Sequence, residues 1–171
     1  MTQHNFETSK SFVPTPDDTR PLRDAFSRFA TGVTVVTVDS TDGPIGMTAN
    51  SFSSVSLDPA LVLWSPSIKS SRYDHFARAK HFAIHILADD QGDACNGFAK
   101  SANAFDLVDY RRNEHNVPVI QNCLARFECE TTAIHPAGDH AIVIGQILSA
   151  EMRDGDALTF FAGKLGSFAA S

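Results

Sequence analysis

Two stretches decide the fold of this chain: residues 33–38, VTVVTV, and residues 45–55, IGMTANSFSSV. The first is almost wholly β-branched, and β-branched side chains favour the pleated backbone of a strand. Between the two stretches lies Asp42-Gly43-Pro44, a turn signal. The second stretch carries Ser, Thr and Asn where a plain core strand would not. The pattern predicts two strands joined by a turn, with polar side chains along the second.

Further strands are predicted downstream. Residues 61–64 and 82–87 are short apolar runs. Residues 124–131 alternate, with apolar side chains on one face and Arg126, Glu128 and Glu130 on the other, which is typical of a half-buried antiparallel strand. Residues 140–148, HAIVIGQIL, are apolar on both faces and predict a central strand. Many strands with hairpin-like connections favour a mainly β fold, a β-barrel with a few peripheral helices.

Three helices are predicted beside these strands. The first begins at Pro21 and carries an apolar stripe that includes Phe26 and Phe29. The second spans residues 70–78, where Ser71 and Asp74 have the spacing of a capping box, and the third spans residues 89–98. Residues 99–122 are polar and poorly periodic, so we expect a long loop that is functional or packs on a partner.

Composition limits the class of protein. The chain has 171 residues, a length that suits one domain, and we expect a flexible tail over residues 1–20 and a domain over residues 21–171. A net charge of −6 argues against nucleic-acid binding, which needs a basic face. No secretory signal or membrane-spanning apolar run is present, and three cysteines without a CxxC pair suit a reducing compartment. We therefore expect a cytoplasmic protein that does not bind membranes.

The sequence lacks the common motifs of metal-dependent and hydrolytic enzymes. There are seven histidines, but no HExxH motif or paired spacing, so no metal site is expected. No GxSxG motif follows a strand, which argues against a hydrolytic triad. Cys129 falls on the apolar face of its predicted strand, where a free thiol is usually inert packing.

Two polar elements remain as candidate binding sites. Residues 46–56 place hydroxyl and amide groups along an extended backbone, and they are either a solvated edge strand or a ligand site. Shortly after come Ser65, Lys69, Ser70 and Ser71, just before a predicted helix. A helix N-terminus and a lysine together suit a phosphate monoester, although Ser71 could equally cap the helix.

These residues carry a resemblance. The run FATGVTVVTVDSTDGPIGMTANSFSSVSLDPALVLWSPSIKSS at residues 29–71 resembles the flavin reductase-like family. The later segments FAIHIL, FEC, GDHAIVIGQI and FFAGKLG agree in order, so the similarity covers about residues 22–168. Members are FMN- or FAD-binding split barrels, antiparallel with Greek-key connections, and many are the reductase component of two-component monooxygenases. The resemblance therefore implies that fold.

The resemblance also assigns roles to residues. The segment that holds the ribityl-phosphate chain in the family matches Thr48, Ala49, Asn50 and Ser51. The stretch along the isoalloxazine edge matches Ser54, Val55, Ser56 and Leu57. The phosphate-binding position matches Lys69, Ser70 and Ser71, with Ser65 shortly before them. His140 matches a catalytic-site histidine near the flavin and the nicotinamide, and Leu165 stands where many members have an aromatic residue.

The function that the resemblance implies is hydride transfer from NADH or NADPH to FMN or FAD, with reduced flavin passed to a separate oxygenase. It further implies a homodimer, with the tail and residues 99–122 as the parts expected to cross between subunits. Two alternatives stay open: a flavoprotein that keeps FMN tightly bound and acts on an organic substrate, and a flavin-binding module without catalysis. The sequence does not choose between FMN and FAD, or between NADH and NADPH.

Overall fold

The structure is a computed structural model and describes residues 9–169. The helices in this range are α1 (Arg20–Phe26), α2 (Tyr73–Arg78) and α3 (Gly92–Lys100), with short 3₁₀ helices at Asp89–Gln91 and Ala104–Leu107. The strands are β1 (Thr31–Gly32), β2 (Thr34–Ser40), β3 (Gly43–Ala49), β4 (Ser53–Leu57), β5 (Ala60–Trp64), β6 (His81–Ile86), β7 (Tyr110–Arg112), β8 (Pro118–Ile120), β9 (Ala125–Ala137), β10 (His140–Met152), β11 (Ala157–Phe161) and β12 (Lys164–Phe168).

Seven strands form one antiparallel sheet in the order β3-β2-β6-β9-β10-β5-β4. β3 and β4 follow each other in the chain, yet they are the two edges of this sheet. The residues from Ala49 to Ser53 can span at most about 14 Å when fully extended. The sheet must therefore curl until its edges nearly meet, and this confirms the predicted mainly β split barrel.

The apolar residues of β2 face two different cores. Val36 and Val38 pack with Trp64, Phe82 and their neighbours on the inner face of the curled sheet. Val35, together with Val33 just before the strand, packs on the outer face with a second cluster, whose other members include Leu87, Phe98, Phe105 and Ile120. Both faces of β2 are buried, which explains why its sequence is β-branched almost throughout.

Residues 99–122 are not the open loop that the sequence predicts. They contain the second 3₁₀ helix and the β7–β8 hairpin, and they cover the outer face of the barrel. The Thr37 hydroxyl donates to the Pro118 carbonyl at 2.6 Å, and Val119 and Ile120 are fully buried. Apolar residues spaced irregularly in a polar stretch gave no periodic signal, because they contact the sheet from short irregular elements.

The alternation in β9 is confirmed on one face and wrong on the other. Cys129 packs in the inner core with Phe127 against it, as expected. Arg126, predicted to face water, is only 4% exposed and pairs with Glu128 and Glu151. It is the cross-strand partner of His85, which bonds to Ile120 of β8 on the outer face. β10 lies between β9 and β5, so the prediction of a central strand is confirmed.

The apolar stripe predicted for the first helix is not buried. α1 begins at Arg20 and has no buried side chain, and Phe26 and Phe29 are largely exposed. Residues 9–19 form no helix or strand, and they are exposed. The part of the predicted tail at residues 1–8 lies outside the described residues. Across residues 9–169, none of the helices has the length and apolar character that crossing a membrane requires.

Candidate active site

The polar stretch at residues 46–56 is two strands and not one. β3 ends at Ala49, and β4 begins at Ser53 on the opposite edge of the sheet. Between them, Phe52 packs against the inner core and stacks on Phe127 with ring centroids 5.7 Å apart. This inward-pointing aromatic side chain bends the chain at the point where periodicity alone predicted continuous strand.

Thr48, Ala49 and Asn50 lie along a groove between β3, α3 and the β11–β12 hairpin. Its volume is about 380 Å³, within the range usual for small-molecule sites. The groove is lined by Val33, Thr48, Ala49, Asn50, Cys95, Asn96, Ala99, Phe160, Gly163 and Leu165. A second cavity of about 440 Å³ extends from it toward α1 and shares Asn50, Phe160 and Gly163. Asn50 therefore borders both spaces.

Backbone and hydroxyl contacts hold this groove in shape. The Thr48 hydroxyl donates to the Cys95 carbonyl of α3 at 2.7 Å, and the Thr34 hydroxyl donates to the Ala49 carbonyl at 2.7 Å. The Thr31 Oγ1 atom is buried at the edge of the second cavity and has no hydrogen-bond partner within residues 9–169. A buried hydroxyl without a partner is energetically unfavourable, so it suits a site that a polar ligand group completes.

Ser54, Val55, Ser56 and Leu57 lie on β4. This strand pairs with β5 on one side and is the last strand of the sheet on the other, as far as residues 9–169 show. The register shifts between Ser54 and Ser56, which leaves Val55 without a paired residue. Leu57 is 96% exposed. An edge of this kind presents backbone N–H and C=O groups together with apolar side chains to whatever lies beside it.

Ser65, Lys69, Ser70 and Ser71 lie in a turn between β5 and α2. The Ser65 N–H donates to the Ser51 hydroxyl at 2.9 Å, which joins this turn to the β3–β4 connection. The predicted capping box is wrong: α2 begins at Tyr73, and Arg72 precedes it without a side-chain cap. The Ser70 hydroxyl instead accepts the Arg72 N–H at 3.2 Å, while Lys69 and Ser71 are exposed.

His140 begins β10 directly beside this turn. The Ile68 N–H donates to the Asp139 carbonyl at 3.1 Å, and the Ala141 N–H donates to the Pro66 carbonyl at 3.0 Å. The His140 Nδ1 atom lies 2.7 Å from an Asp139 carboxylate oxygen, and this hydrogen bond, ahead of the charge interaction with His140, lowers the pKa of Asp139. With Nδ1 bonded to the carboxylate, Nε2 is the ring nitrogen that remains for a ligand.

The predicted residues therefore lie in three places: the groove at residues 48–50, the edge of β4, and the turn at residues 65–71 with His140. The hydrogen bond between Ser65 and Ser51 joins the turn to the β3–β4 connection. Ser71 also borders a separate cavity with Asp39, Asp42 and Asp74. Sequence reasoning missed the three groove residues on α3, Cys95, Asn96 and Ala99, and it also missed Arg72. The α3 residues had no signal in the sequence because a groove wall needs no special residue type. Arg72 had none because its partners are backbone carbonyls distant in the chain.

The described residues give little support for metal-dependent or cysteine-based catalysis. Across residues 9–169, no three His, Cys, Asp or Glu side chains are grouped so that they could hold a metal ion. All three cysteines are free and buried, and burial raises the pKa of Cys129 to about 12. A thiol with so high a pKa is protonated at neutral pH and is a poor nucleophile.

Comparison with known proteins points to one family. The model of the flavin reductase like domain matches residues 26–169. The FMN reductase (NADH) SmoA of Agrobacterium fabrum is 53% identical over 157 residues, which cover 92% of this chain and 90% of that protein. The reductase component of a flavin-dependent trigonelline monooxygenase of Acinetobacter baylyi is 52% identical over 75% of this chain, and the match spans only 42% of that protein's length.

The solved structures agree with these matches. The NADH:FAD oxidoreductase SgcE6 of Streptomyces globisporus, in complex with NAD and FAD fragments, superposes with a TM-score of 0.86 at 36% identity. That match covers 93% of this chain and 98% of SgcE6. Barrel topology, the polar strand edges and the family match over residues 26–169 agree with one another, and this chain belongs to the flavin reductase like family.

Proposed function

We propose that this protein is an NADH-dependent flavin reductase, which transfers a hydride from the nicotinamide to FMN or FAD. The observation that carries the proposal is the 53% identity to an FMN reductase (NADH), which extends over nearly the full length of both chains. The flavin itself supplies the redox chemistry, since its ring accepts the hydride from the nicotinamide. The chain's own residues bind and orient the two nucleotides and exclude water.

The described residues fit a flavin. β4 offers an unpaired backbone edge with Val55 and Leu57 beside it, which suits a planar ring that carries hydrogen-bonding atoms along one side. Thr48 and Asn50 provide hydroxyl and amide groups in the neighbouring groove, which suit a hydroxylated chain. The Thr31 hydroxyl, which is buried and has no hydrogen-bond partner among residues 9–169, borders the second cavity next to this groove.

The turn at residues 65–71 would hold the phosphate. Lys69 is exposed and positively charged, and Ser70 and Ser71 add hydroxyl groups next to it. Hydrogen bonds to charged groups are about twice as strong as neutral ones. α2 has only six residues and no side-chain cap, so the proposed phosphate contacts come from the side chains of the turn and not from a helix end.

His140 would position the nicotinamide. Asp139 holds the ring through Nδ1, and Nε2 is then free to contact a bound nucleotide. Hydride transfer between two cofactors needs no general base, so we assign His140 an orienting role. An alanine variant that kept the full hydride-transfer rate and NADH affinity would remove this assignment.

The first test is NADH oxidation by the purified protein, followed by absorbance with no added flavin, with FMN and with FAD. Oxidation that saturates with added flavin supports the proposal and ranks the two flavins. Retained flavin with slow oxidation would favour the alternatives, a flavoprotein acting on an organic substrate or a flavin-binding module. Replacing NADH by NADPH in the same assay decides the nucleotide preference.

Reductase components of two-component enzymes occur among the relatives, and we propose that reduced flavin from this protein serves a separate monooxygenase.

We also propose a homodimer in the cytoplasm. Phe26 at the end of α1 and Phe29 after it are exposed, and Phe161 and Phe168 of the β11–β12 hairpin are exposed as well. Contiguous exposed apolar patches are typical of protein–protein interfaces, and the free cysteines suit a reducing compartment. A monomer in sedimentation analysis would contradict the dimer.

A further inference from the structure

The Arg72 residue connects the turn at residues 65–71 with β3 and with α3, both of which are distant from it in the sequence. Its Nη1 atom donates to the Phe98 carbonyl at 2.5 Å and to the Gly46 carbonyl at 3.2 Å, and Nη2 donates to the Ala99 carbonyl at 3.4 Å. Gly46 belongs to β3, while Phe98 and Ala99 belong to the last turn of α3. Partial burial lowers the pKa of Arg72, but a guanidinium keeps its charge in proteins.

The carbonyls that Arg72 contacts would otherwise be short of donors. The last four carbonyls of a helix have no partner within the helix, and a cation near them is favoured by the helix dipole. The third carbonyl comes from β3 where this strand packs tightly on α3, since a Cβ atom at Gly46 would overlap the Phe98 ring. Arg72 thus bonds to both walls at the point where β3 and α3 touch.

The same two elements form the groove described above. α3 contributes Cys95, Asn96 and Ala99 to it, and β3 contributes Thr48 and Ala49. On its other side, Arg72 ends the turn at residues 65–71 and is bonded to it through its N–H and the Ser70 hydroxyl. The far end of this turn is fixed next to His140 by backbone hydrogen bonds. The turn is therefore anchored at both ends, and Arg72 is the anchor nearer the groove.

We propose that Arg72 is a positioning residue that sets where Lys69, Ser70 and Ser71 stand relative to the groove at residues 48–50. Three of its five N–H donors bond to backbone carbonyls and hold its guanidinium against β3 and α3, so we assign it a role through the turn. This inference rests on the proposed function, in which the turn holds the flavin phosphate and the groove holds the rest of the molecule. Loss of Arg72 would then weaken recognition of the phosphate specifically.

The test compares FMN with riboflavin, which has the same ring and chain but no phosphate. Dissociation constants are measured by flavin fluorescence titration for the wild type, Arg72→Lys and Arg72→Met. A misplaced charge-assisted phosphate contact should raise the FMN constant about tenfold in both variants. The riboflavin constant should change less than about twofold, because no phosphate contact is lost. Lysine keeps the charge, but its three donors all lie on one nitrogen and cannot reproduce the planar fork that bonds from two nitrogens to β3 and α3, so it should not restore FMN binding.

Arg78→Met is the matched control, since Arg78 is an exposed arginine on α2 whose one ion pair within residues 9–169 is with Asp74. It should leave both constants unchanged. Thermal unfolding of each variant checks folding, and Arg72→Lys keeps the test available if Arg72→Met does not fold. Steady-state kinetics should show a raised KM for FMN with kcat at saturating FMN within about twofold of wild type.

Three results would overturn the role of Arg72: equal weakening of FMN and riboflavin, no change in either, or wild-type FMN binding in Arg72→Lys. The first would make Arg72 a general packing residue, and the third would mean that its charge alone matters. Wild-type protein that bound neither flavin would overturn the proposed function itself. The two failures are therefore distinguishable in one set of titrations.

Discussion

Polar side chains occur in two regions of this barrel with opposite surroundings. The buried polar set comprises Thr34, Thr37, His85 and Arg126, all at most 4% exposed. The rim set comprises Asn50, Ser54, Lys69 and Ser71, all exposed. Each member of the buried set is bonded within the chain. Burial makes a missing partner expensive, so the buried set serves stability, while exposure leaves the rim set free for a ligand.

His85 shows how complete the pairing is in the buried set. Its Nδ1 atom lies 2.9 Å from the Val35 carbonyl, and its Nε2 atom accepts the Ile120 N–H at 3.0 Å. A ring that donates from one nitrogen and accepts at the other is neutral. His85 thereby connects β6 to β2 and to β8, which lies within residues 99–122.

The largest predicted effect is that of His85→Leu. Leucine has no polar atom, so the Val35 carbonyl and the Ile120 N–H both lose their buried partner. We expect the free energy of unfolding to fall by about 4 kcal/mol, since each unsatisfied group costs about 1–3 kcal/mol. Urea unfolding measures this. His135→Leu, at an exposed histidine of β9, is the control and should change stability by less than about 0.5 kcal/mol. Equal losses of unfolding free energy in both variants would contradict the distinction between buried and exposed polar residues.

The second prediction concerns pH. Burial lowers the pKa of His85 from 6.5 to about 4, with repulsion by Arg126 acting in the same direction and the bond to Val35 opposing it. Below pH 6.5 the unfolded chain binds a proton at His85 that the folded chain excludes. The contribution of neutral His85 to the free energy of unfolding is therefore complete above that pH. It is lost as the pH falls toward about 4, and the loss amounts to about 3 kcal/mol.

Comparison of wild type with His85→Leu isolates the contribution of His85 to the pH dependence of stability. Glu128 and Glu151 face Arg126 in the same cluster, and both are present in wild type and in His85→Leu. We therefore expect the stability difference between the two proteins to shrink between pH 7 and pH 4 in urea unfolding experiments. A difference that stayed constant over this range would show that His85 does not resist protonation in the folded protein.

The strands of the barrel could be predicted from the sequence because their signals are local. The β-branched run before residue 39 and the apolar run that begins at His140 need no knowledge of the rest of the chain. The burial of Arg126 could not be predicted, because it depends on residues 99–122 folding over the outer face. The break at Phe52 also escaped prediction, since a ring that turns into the barrel needs Phe127 as its distant partner.

The candidate site was predictable in its parts but not in its assembly. The resemblance supplied the residues of the rim set, whereas their relative positions depend on contacts between distant segments. Ser51 bonds to Ser65, and Arg72 bonds to three carbonyls 26 residues away or more. Such contacts join a hydroxyl or a guanidinium to backbone atoms, which every residue has, so no pattern of residue types marks them.

A third prediction uses neighbours on either side of the boundary between the two regions. Thr34 is buried and donates to the Ala49 carbonyl, next to exposed Asn50. Thr34→Val keeps the shape of the side chain but leaves that carbonyl without its donor, so the free energy of unfolding should fall by about 1 kcal/mol. FMN affinity should stay within about twofold of wild type. Urea unfolding and fluorescence titration measure the two quantities, and an affinity loss larger than the stability loss would place Thr34 in the rim set.

The smallest effect on stability is expected for Asn50→Ala. Asn50 borders both cavities and is exposed, so its loss should change the free energy of unfolding by less than about 0.5 kcal/mol. If its amide contacts the flavin, the FMN dissociation constant should rise about fivefold, the worth of one neutral hydrogen bond. Asn103→Ala, at an exposed asparagine that lines neither cavity, should leave both quantities unchanged. An Asn50 variant that lost stability and bound FMN normally would belong with the buried polar set, and exposure would then fail as the property that separates ligand-binding from structural polar groups in this barrel.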